Sequence, residues 1–202
     1  MNLSENIHNA FKVVFKTLEA SKNLMEKCRN EYDRNKYYMP VRHFLRYQDD
    51  SEWAGWIYWS IILLYQRKED GKLLENGWID GPVYAVEINL DADIYKEPVL
   101  NIAKFEFSDM DKRGKKCSSK MHYIFNDIMY SDDVGSVDGV EKQVIDDNHF
   151  KYTVDEWTEE LDEDYWGFKE ATVEQHKLVD IKVDNYQEKI FGSIEKLHEG
   201  IL

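Results

Sequence analysis

Apolar side chains return to one side of a helical wheel along the first thirty positions. Ile7, Phe11, Val14, Leu18, Met25 and Cys28 share a face, while Lys12, Lys16, Glu19, Lys22 and Glu26 lie elsewhere. The pattern predicts a long amphipathic helix laid against a sheet, started by Asn2 with Glu5 three residues on and finished before Pro40. At residues 53–66, WAGWIYWSIILLYQ, the period changes. Wound as a helix this run would be apolar on every side, whereas its Trp, Ile and Tyr content suits extended chain. Trp53, Ile57, Trp59, Ile61, Leu63 and Tyr65 then face one way and Trp56, Tyr58, Ile62 and Leu64 the other. Apolar residues on both faces predict a central strand covered from each side, with a bend near Gly55.

Two more strands follow closely. VYAVEINL, residues 83–90, aligns Tyr84, Val86, Ile88 and Leu90, and VLNIAKFEF, residues 99–107, is rich in strand formers. The links between them hold Asp-Gly, Asn-Gly and Pro, so they turn tightly and predict an antiparallel meander over residues 53–107. Trp78, in the glycine-bounded stretch NGWIDGP, is expected to be exposed. Beyond it, residues 117–130 read as a helix through Met121, Ile124, Phe125 and Ile128. Residues 131–147 read as a polar, acidic loop. HFKYTV predicts a strand with Phe150, Tyr152 and Val154 inward, and LVDIKV another with Val179, Ile181 and Val183 together. A closing helix carries Tyr186, Ile190, Ile194, Leu197 and Ile201 on one stripe, with Asp184 or Asn185 as its cap. The expected fold is a single α+β domain over residues 1–202: an antiparallel sheet of about five strands, with the long N-terminal helix and the C-terminal helix packed on it.

Composition adds three constraints. Hydrophobic residues at 43% supply enough apolar surface for a core. The longest apolar run, 53–66, falls short of the roughly 20 residues needed to span a bilayer. Two cysteines, Cys28 and Cys117, suit free thiols in a reducing compartment, and the N-terminal stretch lacks the pattern of a signal peptide, so a cytoplasmic location is expected.

Charge changes the picture most. The net charge is −14; residues 1–120 hold 19 basic and 19 acidic side chains, and residues 121–202 hold 7 and 21. The whole excess lies in the last 82 residues. Such a field repels nucleic-acid phosphate and anionic lipid and favours a basic protein partner. It is densest in DEWTEELDEDYW, residues 155–166, with seven acids among twelve positions. Trp157, Leu161 and Tyr165 recur every four residues, so a short helix would dock this edge and hold Glu156, Glu159, Glu160, Asp162, Glu163 and Asp164 in water. With Trp157 and Trp166 as aromatic anchors, that segment is the candidate partner-binding surface.

Catalytic chemistry has weaker support. Asp180 and Lys182, in the expected strand LVDIKV, resemble the ending of the PD-(D/E)xK nuclease pattern, and Glu87 offers a third polar group toward a metal-dependent hydrolase. Asn89 stands where that pattern would want its lysine beside Glu87. The stretch from Asp109 begins like a calcium loop, but Arg113 and Lys120 occupy ligand positions and exclude it. The basic run Lys112, Arg113, Lys115, Lys116 and Lys120 is too small for a nucleic-acid surface. The six histidines show no ligand spacing, and no phosphate-binding or nucleophile-elbow motif is present, so no cofactor is expected. Tryptophans lining a small-molecule pocket are a further possibility. The reading that follows is a non-catalytic acidic interaction protein, inhibitory or toxin-neutralising in kind, with the hydrolase and the small-molecule binder as alternatives.

Overall fold

In the computed structural model the described residues are 3–46, 59–91, 94–111, 117–130 and 137–201. The expectations at Asn2, at 53–58 with Trp53, Gly55 and Trp56, at 112–116 with four of the five basic residues, and at 131–136 fall outside them. The chain divides into two compact units, Met1–Tyr32 and Asp33–Leu202. The first is the expected long helix, α1 (Leu3–Asn30), with Glu5 in its first turn and Lys27 and Arg29 in its last, where each charge complements the helix dipole.

The second unit is built on an antiparallel sheet of eight strands, not about five. Its strands are β1 (Tyr37–Tyr38), β2 (Leu45–Arg46), β3 (Ser60–Arg67), β4 (Val83–Asn89), β5 (Val99–Phe107), β6 (Val140–Val144), β7 (His149–Val154) and β8 (Phe168–Lys177). The order is β1-β3-β4-β5-β8-β7-β6, with β2 also paired to β3. The meander β3-β4-β5 is therefore present from Ser60 onward, and every residue of β3 is buried, as a strand flanked and covered on both sides requires.

Four strands, β1, β2, β6 and β8, go beyond expectation, and one expected strand is absent. The acidic stretch after residue 139 is not loop but β6, which forms a hairpin with β7. β8 has only Phe168, Ala171 and Val173 as apolar residues, so its sequence reads as surface; it nevertheless lies between β5 and β7. The strand expected over residues 178–183 is absent. Leu178–Asp180 forms a 3-10 turn, the Asn185 amide accepts from Lys182 N at 2.7 Å and donates to Asp180 O at 3.0 Å, and Val179 and Val183 point to solvent.

Strand register sorts the core into two layers. One face carries Ile62, Leu64, Val83, Ala85, Ala103, Phe105, Ala171 and Val173. Upon it pack α2 (Tyr123–Met129), through Ile124, Phe125 and Ile128, and α3 (Glu159–Glu163), through Leu161. Phe105 stacks on Phe107 and meets Phe125 edge-on with ring centres 5.2 Å apart, a favourable aromatic geometry. The opposite face bears Tyr65, Tyr84 and His176 and receives the C-terminal helix, a π turn at Glu188–Gly192 running into α4 (Ser193–Glu199). Tyr186, Ile190, Ile194 and Leu197 of its stripe are buried; Ile201 is exposed beyond Gly200, which ends the helix at φ 69°. Among the described residues no helix is long and apolar enough to cross a membrane.

Candidate functional site

The acidic segment is positioned by its apolar residues. Thr158, in extended conformation, caps α3 by accepting a hydrogen bond from Leu161 N at 3.2 Å, and Glu159 and Glu160 in the first turn lie where the helix dipole favours negative charge. Leu161 and Tyr165 are buried as the four-residue spacing required. The Tyr165 hydroxyl donates to Asp127 on α2 at 3.2 Å. Burial raises the Asp127 carboxyl to about 6 despite that bond.

Two glycines make the close approaches that fix this corner. Gly139, at φ 82°, leaves room for the carbonyl of Glu156, and Gly167, at φ 63°, lies against Ser108 Oγ and Asp162. A Cβ at either position would collide with its neighbour, 1.9 Å away in each case.

Three aromatic expectations are corrected. Trp166 is no surface anchor: it is buried at the end of α3 and meets Trp78 edge-on at 5.4 Å. Trp78, expected exposed, is buried too. The Gln66 side chain donates to Ile79 O and accepts from Ile79 N, both at 2.8 Å, and this clasp draws the loop over the core. Trp157, which the four-residue spacing put on the docked edge with Leu161 and Tyr165, is instead in solvent, 63% exposed. Around it Glu156, Glu159, Glu160, Glu163 and Asp164 are exposed, with Asp162 half-buried, and none of those five forms an ion pair with a described residue. The outcome is a carboxylate-rich ridge with one bare indole.

Glu87 lies elsewhere and differs in kind. It has no exposed surface and its carboxylate accepts from Ser60 Oγ at 2.6 Å, Asn101 Nδ2 at 2.9 Å, the Tyr130 hydroxyl at 3.0 Å and Asn89 Nδ2 at 3.3 Å. Asn101 in turn accepts from Gln175 at 2.9 Å. Burial raises the pKa of Glu87 against the lowering effect of its donors. Asp180 and Lys182 are exposed in the turn after β8, so the structure does not gather the three hydrolase candidates. Among the described residues no group of three or more His, Cys, Asp or Glu side chains is arranged to hold a metal ion.

The opposite face of the sheet carries two ionic clusters. Ser193, His176 and Glu174 contain the residue types of a hydrolytic triad, but Ser193 Oγ and Glu174 both approach the same ring atom, His176 Nε2, each at 3.2 Å. A triad needs serine and acid on different nitrogens, so this is a structural cluster. Burial pushes Glu174 upward, yet His176, Ser193 and Lys196 outweigh it and hold the carboxyl near 2.

Nearby, Asp70 accepts from the Tyr84 hydroxyl at 3.1 Å and lies 3.3 Å from His198 Nδ1. Arg67 contacts Glu69 and lies 3.6 Å from Glu195, which also pairs with Lys36. Both cysteines are free, and burial raises the Cys117 thiol to about 12, far from a nucleophile's range.

Comparison with protein-family models, with curated proteins and with solved structures finds no match. The interior network was open to a sequence signal: Ser60, Glu87, Asn89 and Asn101 occupy inward positions of strands that are otherwise apolar. The Trp78–Trp166 contact had none, since it depends on a clasp from Gln66 across a loop.

Proposed function

We propose that the protein is a non-catalytic interaction protein whose acidic ridge at α3 binds a basic protein and thereby inhibits or neutralises it. The observation that carries this reading is Trp157, 63% exposed beside five carboxylates without ion-pair partners among the described residues. A large aromatic contact flanked by like charges suits a surface that presents Lys and Arg: the field speeds encounter and rejects acidic competitors, and the indole supplies desolvated area. Arginine also stacks well on an indole face. The ridge is mounted on Leu161, Tyr165 and Trp166, so its carboxylates are displayed from a fixed base.

The test is capture from native lysate with wild type, Trp157→Ala, and a variant with Glu159, Glu160, Glu163 and Asp164 changed to lysine. A stoichiometric basic protein held at low salt, released at high salt and lost by both variants is the expected result. Retention of that protein by the lysine variant would remove the reading.

A further inference from the structure

We propose that the C-terminal helix is a pH-sensitive latch: protonated His176 and His198 compensate two carboxylates that the helix covers, and loss of those protons as pH rises loosens it from the sheet. The π turn at Glu188–Gly192 and α4 together make a short helix, which persists in water only while its attachments hold it. Tyr186, Ile190, Ile194 and Leu197 supply the apolar part of that attachment. The polar part is gathered at two histidines. On β8, His176 Nε2 lies 3.2 Å from Glu174 and 3.2 Å from Ser193 Oγ at the start of α4. In α4, His198 Nδ1 lies 3.3 Å from Asp70, just after β3, and 3.2 Å from the Tyr84 hydroxyl on β4.

Both carboxylates are enclosed, the side chains of Asp70 and Glu174 being only 3% and 6% exposed. In each case the imidazole is the nearest cationic group. Lys196, from α4, stands 3.8 Å from Glu174 and is itself exposed. Arg67 Nε is 3.9 Å from Asp70, and its guanidinium is shared with Glu69 and with Glu195, which also binds Lys36 and Tyr37. The other charges on this face pair among themselves: Lys104 with Glu106 on β5, Lys151 on β7 with Glu170 on β8, and His149, opposite Glu174 in register, with Asp146. On the helix, Glu188 and Glu199 are exposed and Lys189 is half-buried. Burial raises the Glu174 carboxyl, but His176, Ser193 and Lys196 hold it near 2, so it stays charged across the range, about pH 5 to 8, in which imidazoles exchange their proton. The pairs are therefore complete below that range and broken above it. A covered carboxylate that has lost its nearest cation is costly, and opening of the helix relieves the cost by admitting water.

Hydrogen exchange of the full chain at about pH 5.5 and about pH 8, each corrected for the intrinsic rate, reads this opening. Protection of residues 188–199 should fall on the order of tenfold at the higher pH, the effect of two modest ion pairs. H176Q/H198Q should show no such fall, its protection at the lower pH being already that of wild type at the higher. His149→Gln should leave the fall intact. Should the double variant fail to fold, His198→Gln alone, at a half-buried position, should diminish the fall. Equal wild-type protection at the two pH values overturns the proposal, as does a fall undiminished in the His176 and His198 variants or one that H149Q abolishes.

Discussion

Glu87 is an acid without a cation: every group that touches its carboxylate is a neutral hydroxyl or amide. A carboxyl with a raised pKa in the folded state contributes stability below its unfolded value, about 4.5, and that contribution is lost as pH rises through the folded value. Glu174, held near 2, has the opposite sign: its contribution is present above about 4.5 and lost as pH falls toward 2. Glu87→Gln keeps a carbonyl acceptor and removes the ionisation. In urea denaturation at a series of pH values, the stability of wild type minus that of the variant should fall above pH 4.5 by about 1.4 kcal/mol per unit until Glu87 ionises; parallel curves would contradict a buried carboxyl with a raised pKa. Glu87→Ala strands four neutral donors and should destabilise the fold, each donor left unsatisfied costing about 1–3 kcal/mol. Residue type alone marked Glu87 for attention, but as a metal ligand. Only the register, which sets it opposite Ile62 and Asn101, shows that it is enclosed.

At the scale of elements, α3 is a five-residue helix and depends on its attachments. Thr158→Ala should cost about 1 kcal/mol by removing the cap, and Leu161→Ala about 2–5 kcal/mol by opening the core. In hydrogen exchange the first should lower protection in α3 while leaving β3 to β5 unchanged; uniform loss would mean that α3 is not a separable unit. Elements with a single strong period were legible in the sequence: α1, the meander from Ser60 onward, β7 and the C-terminal helix lie where their apolar spacing put them, and α2 fills the second half of its expected span, 117–130. β8 was not, because Glu174 and His176 fill inward positions with partners that come from the C-terminal helix, distant in sequence. The misread 178–183 shows the converse. Its alternation of Val and Ile was real, but the Asn185 clasp and the 3-10 turn leave Val179 and Val183 outside. For the acidic ridge, the four-residue spacing correctly assigned Leu161 and Tyr165 inward but wrongly put Trp157 with them, and Trp166, expected as a surface anchor, is buried.

For the molecule as a whole, a charge of −14 is a standing self-repulsion that screening relieves. Moderate sodium chloride should therefore raise the midpoint of thermal unfolding, by about 2–4 °C for each kcal/mol gained in a chain of this size. A fall would mean that ion pairs such as Lys36–Glu195 and Lys151–Glu170 outweigh the repulsion. The order of strands in the sheet carries a consequence in time. β8 is the last of these eight strands to leave the ribosome, yet it is the seam between the meander β3-β4-β5 and the hairpin β6-β7. Until it is synthesised those two pieces have no bond to each other within the sheet, and each presents a raw strand edge. The nascent chain must keep both edges apart from other chains while it waits for a strand paired as distantly as Val99 with Lys177.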